Sequence, residues 1–301
     1  MSKQTYSTIF KDHFKGKRVV VIGAAQGIGA TIGEALAGSG AEVLLADLSE
    51  AVHDVAERIR AAGHEAESMI ADVVQDKDVA QIFDRARDKW GALDVLVNNA
   101  GILRDRSFAK MDLADFRQVL DVHLMGAVHT TKAVWPIMQA QKYGRLIMTT
   151  SSTGLYGNFG QTNYGAAKLA LVGFMQTLGL EGAKYDIRVN CLAPTAATRM
   201  TEGLLPQEAL DALQPAAIVP AMLVLACPQA PNRTILCAGG GSFEAAHITL
   251  TSGVHFGVAD DTPERLLAAL DRVTDRRGEI VPENGGQQGQ VELRKALAMP
   301  A

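Results

Sequence analysis

No apolar run in this chain approaches the roughly 20 residues a membrane-spanning helix needs. The N-terminal stretch MSKQTYSTIFKDHFKGK is polar and of mixed charge, with no apolar signal core. Cysteine is scarce: Cys191, Cys227 and Cys237 form no Cys-x-x-Cys pair, and their odd number argues against an oxidising compartment. Charge of one sign is also missing. Lys and Arg total 29 against 33 Asp and Glu, a net −4, which disfavours a nucleic-acid partner. The histidines lack metal-ligand spacing, so no catalytic metal is expected. These absences predict a soluble, cytoplasmic protein with no membrane span. What is present is core: 48% of the 301 residues are apolar and 21% charged, enough for one large α/β domain or two smaller ones.

The apolar runs are short, β-branched and regularly spaced. Arg18–Ile22 (RVVVI), Glu42–Ala46, Leu93–Val97, Gly144–Thr150 and Ile187–Ala193 read as buried parallel strands, with Glu65–Ala71 extended. Between them, Gly27–Ser39, Ala51–Ala62, Asp76–Trp90, Asp112–Gln141 and Asn163–Tyr185 read as helices, the fourth with a kink at Trp135-Pro136. Alternation of this kind predicts an α/β fold with a doubly wound parallel sheet. The pattern closes near Phe243, so residues 1–243 are read as the domain. Residues 244–301 are read as its C-terminal extension, with a hairpin around Ser252-Gly253, a helix over Thr262–Asp271 and another over Val291–Met299.

Between the first strand and helix stands Gly23-Ala24-Ala25-Gln26-Gly27-Ile28-Gly29. Residues without side chains let a backbone approach a pyrophosphate, whose charge meets the positive end of the next helix. Eighteen residues beyond Gly29, Asp47 ends the second strand, where a carboxylate accepts bonds from a ribose and repels a 2′-phosphate. Leu48 follows, so no adjacent cation waits for such a phosphate. NAD is therefore expected over NADP.

Two more segments complete an ordered set. Asn98-Asn99-Ala100-Gly101 follows the fourth strand, and Tyr164-Gly165-Ala166-Ala167-Lys168 opens a later helix, with Ser151 thirteen residues before Tyr164. Together with the glycine turn, the chain from about Lys17 to Phe243 resembles the short-chain dehydrogenase/reductase family. The resemblance implies a Rossmann-like fold and hydride transfer between a secondary alcohol and a nicotinamide cofactor. Tyr164 would exchange the substrate proton, Ser151 hold the substrate oxygen, and Lys168, one helical turn on, bind the nicotinamide ribose. A phenol of ordinary pKa near 10 acting at pH 7–8 asks for a fall of roughly two to three units, which nearby cations such as Lys168 and the nicotinamide ring would favour.

Other cofactor contacts follow by the same resemblance. Gly23, Gln26, Gly27, Ile28 and Gly29 would cradle the phosphates, and Asp47 and Leu48 would flank the adenosine ribose. Asp72 and Val73 would meet the adenine; Asn99, Ala100 and Gly101 would run beside the cofactor, with Asn98 stabilising the sheet. Pro194 and Thr198 would touch the carboxamide, although the threonine comes one residue earlier than in the family's pattern. Another departure is His123, in Asp121-Val122-His123-Leu124-Met125-Gly126, where the family carries an asparagine of a proton relay. His123 either fills that role structurally or joins the relay as a titrating imidazole.

The runs Asn98–Ala109, Lys142–Thr150, Tyr156–Gln161 and Asn163–Lys168 resemble the (3R)-hydroxyacyl-CoA dehydrogenase and 17β-hydroxysteroid dehydrogenase branch, which shares both departures. The implied substrate is an apolar small molecule, a hydroxysteroid or a 3-hydroxyacyl-CoA, and Arg104, Arg106 and Arg199 are candidates for CoA phosphates. The alternatives are a general 3-oxoacyl thioester reductase and a non-catalytic NAD-binding scaffold. The apolar members of Thr201–Leu213 would form a substrate lid. By the same resemblance the chain is expected to be a homodimer or homotetramer.

Overall fold

In the computed structural model, the described residues are Phe10, 13–197 and 206–298. The chain packs as two compact units, residues 1–245 and 246–301.

The first unit is built on an eight-stranded sheet in the order β3-β2-β1-β4-β5-β6-β7-β8. Its strands are β1 (Arg18–Ile22), β2 (Glu42–Asp47), β3 (Ala66–Ile70), β4 (Val95–Asn98), β5 (Gly144–Thr149), β6 (Ile187–Thr195), β7 (Ile235–Gly239) and β8 (Ser242–Ala246). From β3 to β7 every neighbouring pair is parallel. β8 returns through the two-residue turn Gly240-Gly241, both at positive φ. The helices between strands are α1 (Gly27–Gly38), α2 (Val52–Ala61), α3 (Asp76–Trp90), α4 (Leu113–Leu120), α5 (Gly126–Gln141), α6 (Ser152–Tyr156), α7 (Thr162–Gly182), α8 (Gln207–Ala212) and α9 (Val219–Ala226). The central strands are buried on both faces: Val19, Val20, Val21, Val95, Leu96, Val97, Leu146, Ile147 and Met148 are all fully buried. That double burial is why these runs carry no polar alternation.

The expected long helix over Asp112–Gln141 is two helices joined by one π turn at Asp121–Met125. Pro136 lies inside α5, which runs on through it. The π turn adds a residue without breaking the apolar pattern, and it carries His123.

In the second unit, helices span Thr262–Ala268, Leu270–Val273 and Gly286–Ala298. The expected hairpin at Ser252-Gly253 is not formed. Leu250 instead makes an antiparallel bridge with Ile280, exchanging backbone bonds of 2.9 and 3.0 Å. The segment's alternation was real, but its partner lies thirty residues downstream.

Candidate active site

At the end of β1, Gly23 adopts φ +76° and Gly27 φ +52°. A Cβ on Gly23 would stand 2.6 Å from the Ala100 backbone, and one on Gly29 only 1.9 Å from the Gly23 carbonyl oxygen. The turn therefore needs glycine both for its backbone angles and for close packing. Gln26, extended, precedes α1 without capping it through its side chain, and the first turn of α1 holds no acidic residue. Uncapped N–H groups at the positive end of a helix fit a dinucleotide pyrophosphate. Ile28 is half-buried behind this turn.

Asp47 tethers the same turn. One carboxylate oxygen accepts from Ala25 N at 2.9 Å and the other from Ser49 N at 2.9 Å. Each oxygen keeps a second lone pair for a ribose hydroxyl. Leu48 beside it is exposed and brings no cation. Asp72 accepts from Val74 N at 3.0 Å, and its own N–H is held by Asp78 at 2.9 Å. Val73 is buried against Gly126, where a Cβ would meet it at 2.6 Å. Asn98 is a buried strut between β4 and α5: it accepts from Thr130 Oγ1 at 2.7 Å and donates to Thr131 Oγ1 at 3.3 Å. Pro194 lies in β6 opposite Ala238. Thr198 and Arg199 lie outside the described residues, as do Thr201 to Leu205 of the expected lid.

Ser151 caps α6, accepting from Thr153 N at 3.2 Å, and stands near enough to Tyr164 to work against the rise in its pKa. Tyr164 stands in the first turn of α7, anchored there because the buried Asn163 accepts from Tyr164 N at 2.7 Å and donates to Arg104 O at 3.0 Å. One turn later Lys168 is 3% exposed, its Nζ 5.5 Å from the Tyr164 ring centre and donating to Thr149 O at 2.6 Å. Ser151, Tyr164 and Lys168 are thus brought together.

The electrostatics differ from the expectation in one respect. Burial raises the Tyr164 pKa; Ser151 opposes this, and the Asp105 carboxylate adds to the rise. Burial also lowers Lys168 to about 7. One dry pocket penalises both charges. Tyr164 is therefore held as a neutral phenol.

His123 stands edge-on to Tyr164, ring centres 5.2 Å apart at 88°. Its Nε2 lies 2.8 Å from Ile102 O and 3.0 Å from Ile102 N, and its buried Nδ1 makes no hydrogen bond among the described residues. Burial, then the charge of Lys168, push its pKa down to about 3, with the Ile102 bond opposing. The imidazole is therefore neutral from pH 6 to 8. Its space exists because residue 101 is glycine: a Cβ there would stand 2.3 Å from His123 Cε1.

Asn99, Thr149 and Ile102 were the least legible members of the site. The resemblance puts Asn99 beside the cofactor but says nothing of the ties it makes. Nothing in the sequence singles out Ile102, and Thr149 reads only as a residue within the strand Gly144–Thr150.

The short chain dehydrogenase family model matches residues 17–209. The chain belongs to the short-chain dehydrogenases. A short-chain type dehydrogenase/reductase of Mycobacterium tuberculosis is 43% identical over 271 residues, covering 86% of this dehydrogenase and 94% of the relative. The structure of full-length peroxisomal multifunctional enzyme type 2 from Drosophila melanogaster superposes with a TM-score of 0.80 at 33% identity. That match covers 94% of this chain but only 49% of the Drosophila one. A 7α-hydroxysteroid dehydrogenase complexed with NADH and 7-oxo glycochenodeoxycholic acid matches with a TM-score of 0.71 at 28% identity, over 79% of this chain and 98% of that one. This dehydrogenase is an oxidoreductase acting on CH–OH groups, and its family is typically NAD(P)-dependent. Among the described residues no helix is long and apolar enough to cross a membrane, and no cluster of His, Cys, Asp and Glu could hold a metal.

Proposed function

We propose that this dehydrogenase uses NAD to interconvert a secondary alcohol and a ketone on an apolar substrate that carries a negative charge, foremost a 3-hydroxyacyl-CoA. The carrying observation is Tyr164 with buried Lys168 one turn on, Nζ 5.5 Å from its ring centre, and Ser151 beside them at the start of α6. The nicotinamide, when bound, supplies the hydride acceptor and a positive charge. Ser151 orients the substrate oxygen, Tyr164 takes or returns its proton, and Lys168 keeps a donor beside them. Glycines 23, 27 and 29 with the α1 N-terminus would hold the pyrophosphate, Asp47 the adenosine ribose, Asp72 and Val73 the adenine, and Asn99 to Gly101 with Pro194 the remainder. These roles follow the family pattern residue by residue.

Asp47 argues for NAD, since a 2′-phosphate would meet a carboxylate already fixed by two backbone bonds. Like-charge apposition costs several kcal/mol. We expect kcat/KM for NAD to exceed that for NADP by at least about 100-fold, and Asp47→Ala to shrink the ratio about tenfold or more. Equal kcat/KM for the two cofactors in the wild type would refute the reading.

Charge on the substrate is argued from Arg106. Arg104 is engaged with Asp115 at 3.7 Å and with Leu103 O, and Asp105 accepts from Gln161 at 2.7 Å. Arg106 is held by its backbone to Gly160 O at 2.9 Å, yet its guanidinium has no ion pair among the described residues. Exposed Phe108 follows two residues on, and exposed Tyr156 and Phe159 flank the segment whose Gly160 bonds Arg106, apolar surface for an acyl chain or a sterol. A steroid ending in a carboxylate is the second reading, favoured by the ligand of the bile-acid neighbour. The test is a panel followed at 340 nm: 3-hydroxyacyl-CoA, the matching neutral thioester without CoA, a bile acid, and 17β-estradiol. Arg106→Gln should raise KM about tenfold for the charged members and leave the neutral ones unchanged. Efficient turnover of the neutral members alone would count against the charged-substrate reading.

The free cysteines fit a reducing compartment, cytoplasm included, and exposed Leu169 and Leu180 on α7 fit an interface between copies in a homodimer or homotetramer.

A further inference from the structure

Three ties run in series through the middle of the site. Asn99 donates from Nδ2 to the Gly23 carbonyl at 3.0 Å. Thr149 donates from Oγ1 to Asn99 Oδ1 at 3.2 Å. Lys168 donates from Nζ to the Thr149 carbonyl at 2.6 Å. The directions are fixed by chemistry. A carbonyl can only accept, so the Asn99 amide nitrogen must face Gly23 and its oxygen must face the threonine, whose hydroxyl must then donate.

We propose that Thr149 is a positioning residue that registers the phosphate-binding turn against the catalytic lysine. Two geometric facts make the link more than a surface bond. Thr149 is 7% exposed, at the end of β5, with its side chain toward Asn99 and its carbonyl toward α7. The Asn99 amide is also wedged against α1, since a Cβ on Gly29 would approach its Nδ2 to 2.7 Å. From the other side, among the described residues, the turn is held by β2, through Gly23 N to Ala46 O at 2.8 Å, Ala24 N to Ala46 O at 3.3 Å and Ala25 N to Asp47 at 2.9 Å. Beside the backbone pairing of β1, β4 and β5, the Asn99–Thr149 tie is the side-chain link between the turn's carbonyl and the strand end that bonds Lys168. Without the hydroxyl, Asn99 Oδ1 loses its donor, and the amide that bonds the Gly23 carbonyl loses one of the contacts that fix its orientation. The Lys168 acceptor is a backbone carbonyl and survives the change.

The inference rests on the dinucleotide reading above, and its test separates the two. Thr149→Val replaces the hydroxyl by a methyl of equal shape, Thr149→Ala removes both branches, and Thr149→Ser keeps the donor. The measurements are NADH and ADP-ribose affinity by fluorescence titration, steady-state KM and kcat, and thermal unfolding. One net hydrogen bond corresponds to about a 3- to 10-fold change in affinity. Thr149→Val and Thr149→Ala should weaken NADH and ADP-ribose by that factor and raise KM for NAD in parallel, with a smaller change in kcat and in the KM for alcohol. Thr149→Ser should recover to within about twofold. Unchanged affinity in both the valine and alanine variants overturns the proposal, as does a serine variant as weak as valine. A fall in kcat and melting temperature with no selective loss of dinucleotide affinity also overturns it, leaving Thr149 a purely structural residue. Wild-type protein that binds neither NADH nor NADPH overturns the dinucleotide reading, and the proposal with it.

Discussion

Replacing Tyr164 by Phe should lower kcat by about 100- to 10,000-fold, the usual worth of a positioned proton-transfer group, while NADH binds as before. The substitution removes one oxygen and keeps the ring, so the edge contact with His123 and the packing of α7 persist. It removes the atom that would exchange a proton with the substrate oxygen. Because burial holds this phenol neutral, no charge is lost and no compensating rearrangement is called for. Single-turnover rates with pre-bound NADH, beside a fluorescence titration, separate chemistry from binding. Turnover within tenfold of wild type would mean that another group moves the proton.

Lys168→Met should abolish most turnover and, below pH 7, make the fold more stable. Burial with one carbonyl partner lowers the lysine from 10.5 to about 7. Below pH 7 it is charged in both folded and unfolded chains, and the fold carries the whole cost of burying that charge. Between pH 7 and 10.5 the unfolded chain keeps the proton and the folded one does not, so stability rises with pH across that window. At 1.36 kcal/mol per unit, the cost is at most about 5 kcal/mol. Methionine leaves the Thr149 carbonyl without its donor, which returns about 1–3 kcal/mol. The net gain at pH 6 is at most about 2–4 kcal/mol, fading as the pH approaches 10.5. Denaturant midpoints of both proteins at pH 6 and pH 10 test this, and a variant less stable than wild type at pH 6 would contradict it.

What could be read from the sequence was whatever depends on neighbouring residues. RVVVI and GRLIMTT announce doubly buried strands because burial on both faces removes polar alternation. The glycine turn is visible because other side chains would clash there, and Tyr164 and Lys168 because helical spacing puts them on one face. The misses depend on contacts between distant segments. The π turn at Asp121–Met125 leaves the apolar period almost unchanged. β7 is hard to see because ILCAG is short and runs straight into Gly240-Gly241. Leu250 finds its strand partner at Ile280, beyond two helices. The neutral state of Tyr164 and His123 is invisible in any local pattern, because it is set by how deeply the assembled site excludes water.

The missing Cβ at Gly101 couples two distant positions. With the His123 ring where it stands, any side chain at 101 would put a Cβ 2.3 Å from Cε1, so the ring would have to move. A smaller residue at 123 would relieve that clash but forfeit the ring's packing and its contact with Ile102. The two residues therefore constrain each other: a change at either one is felt at the other.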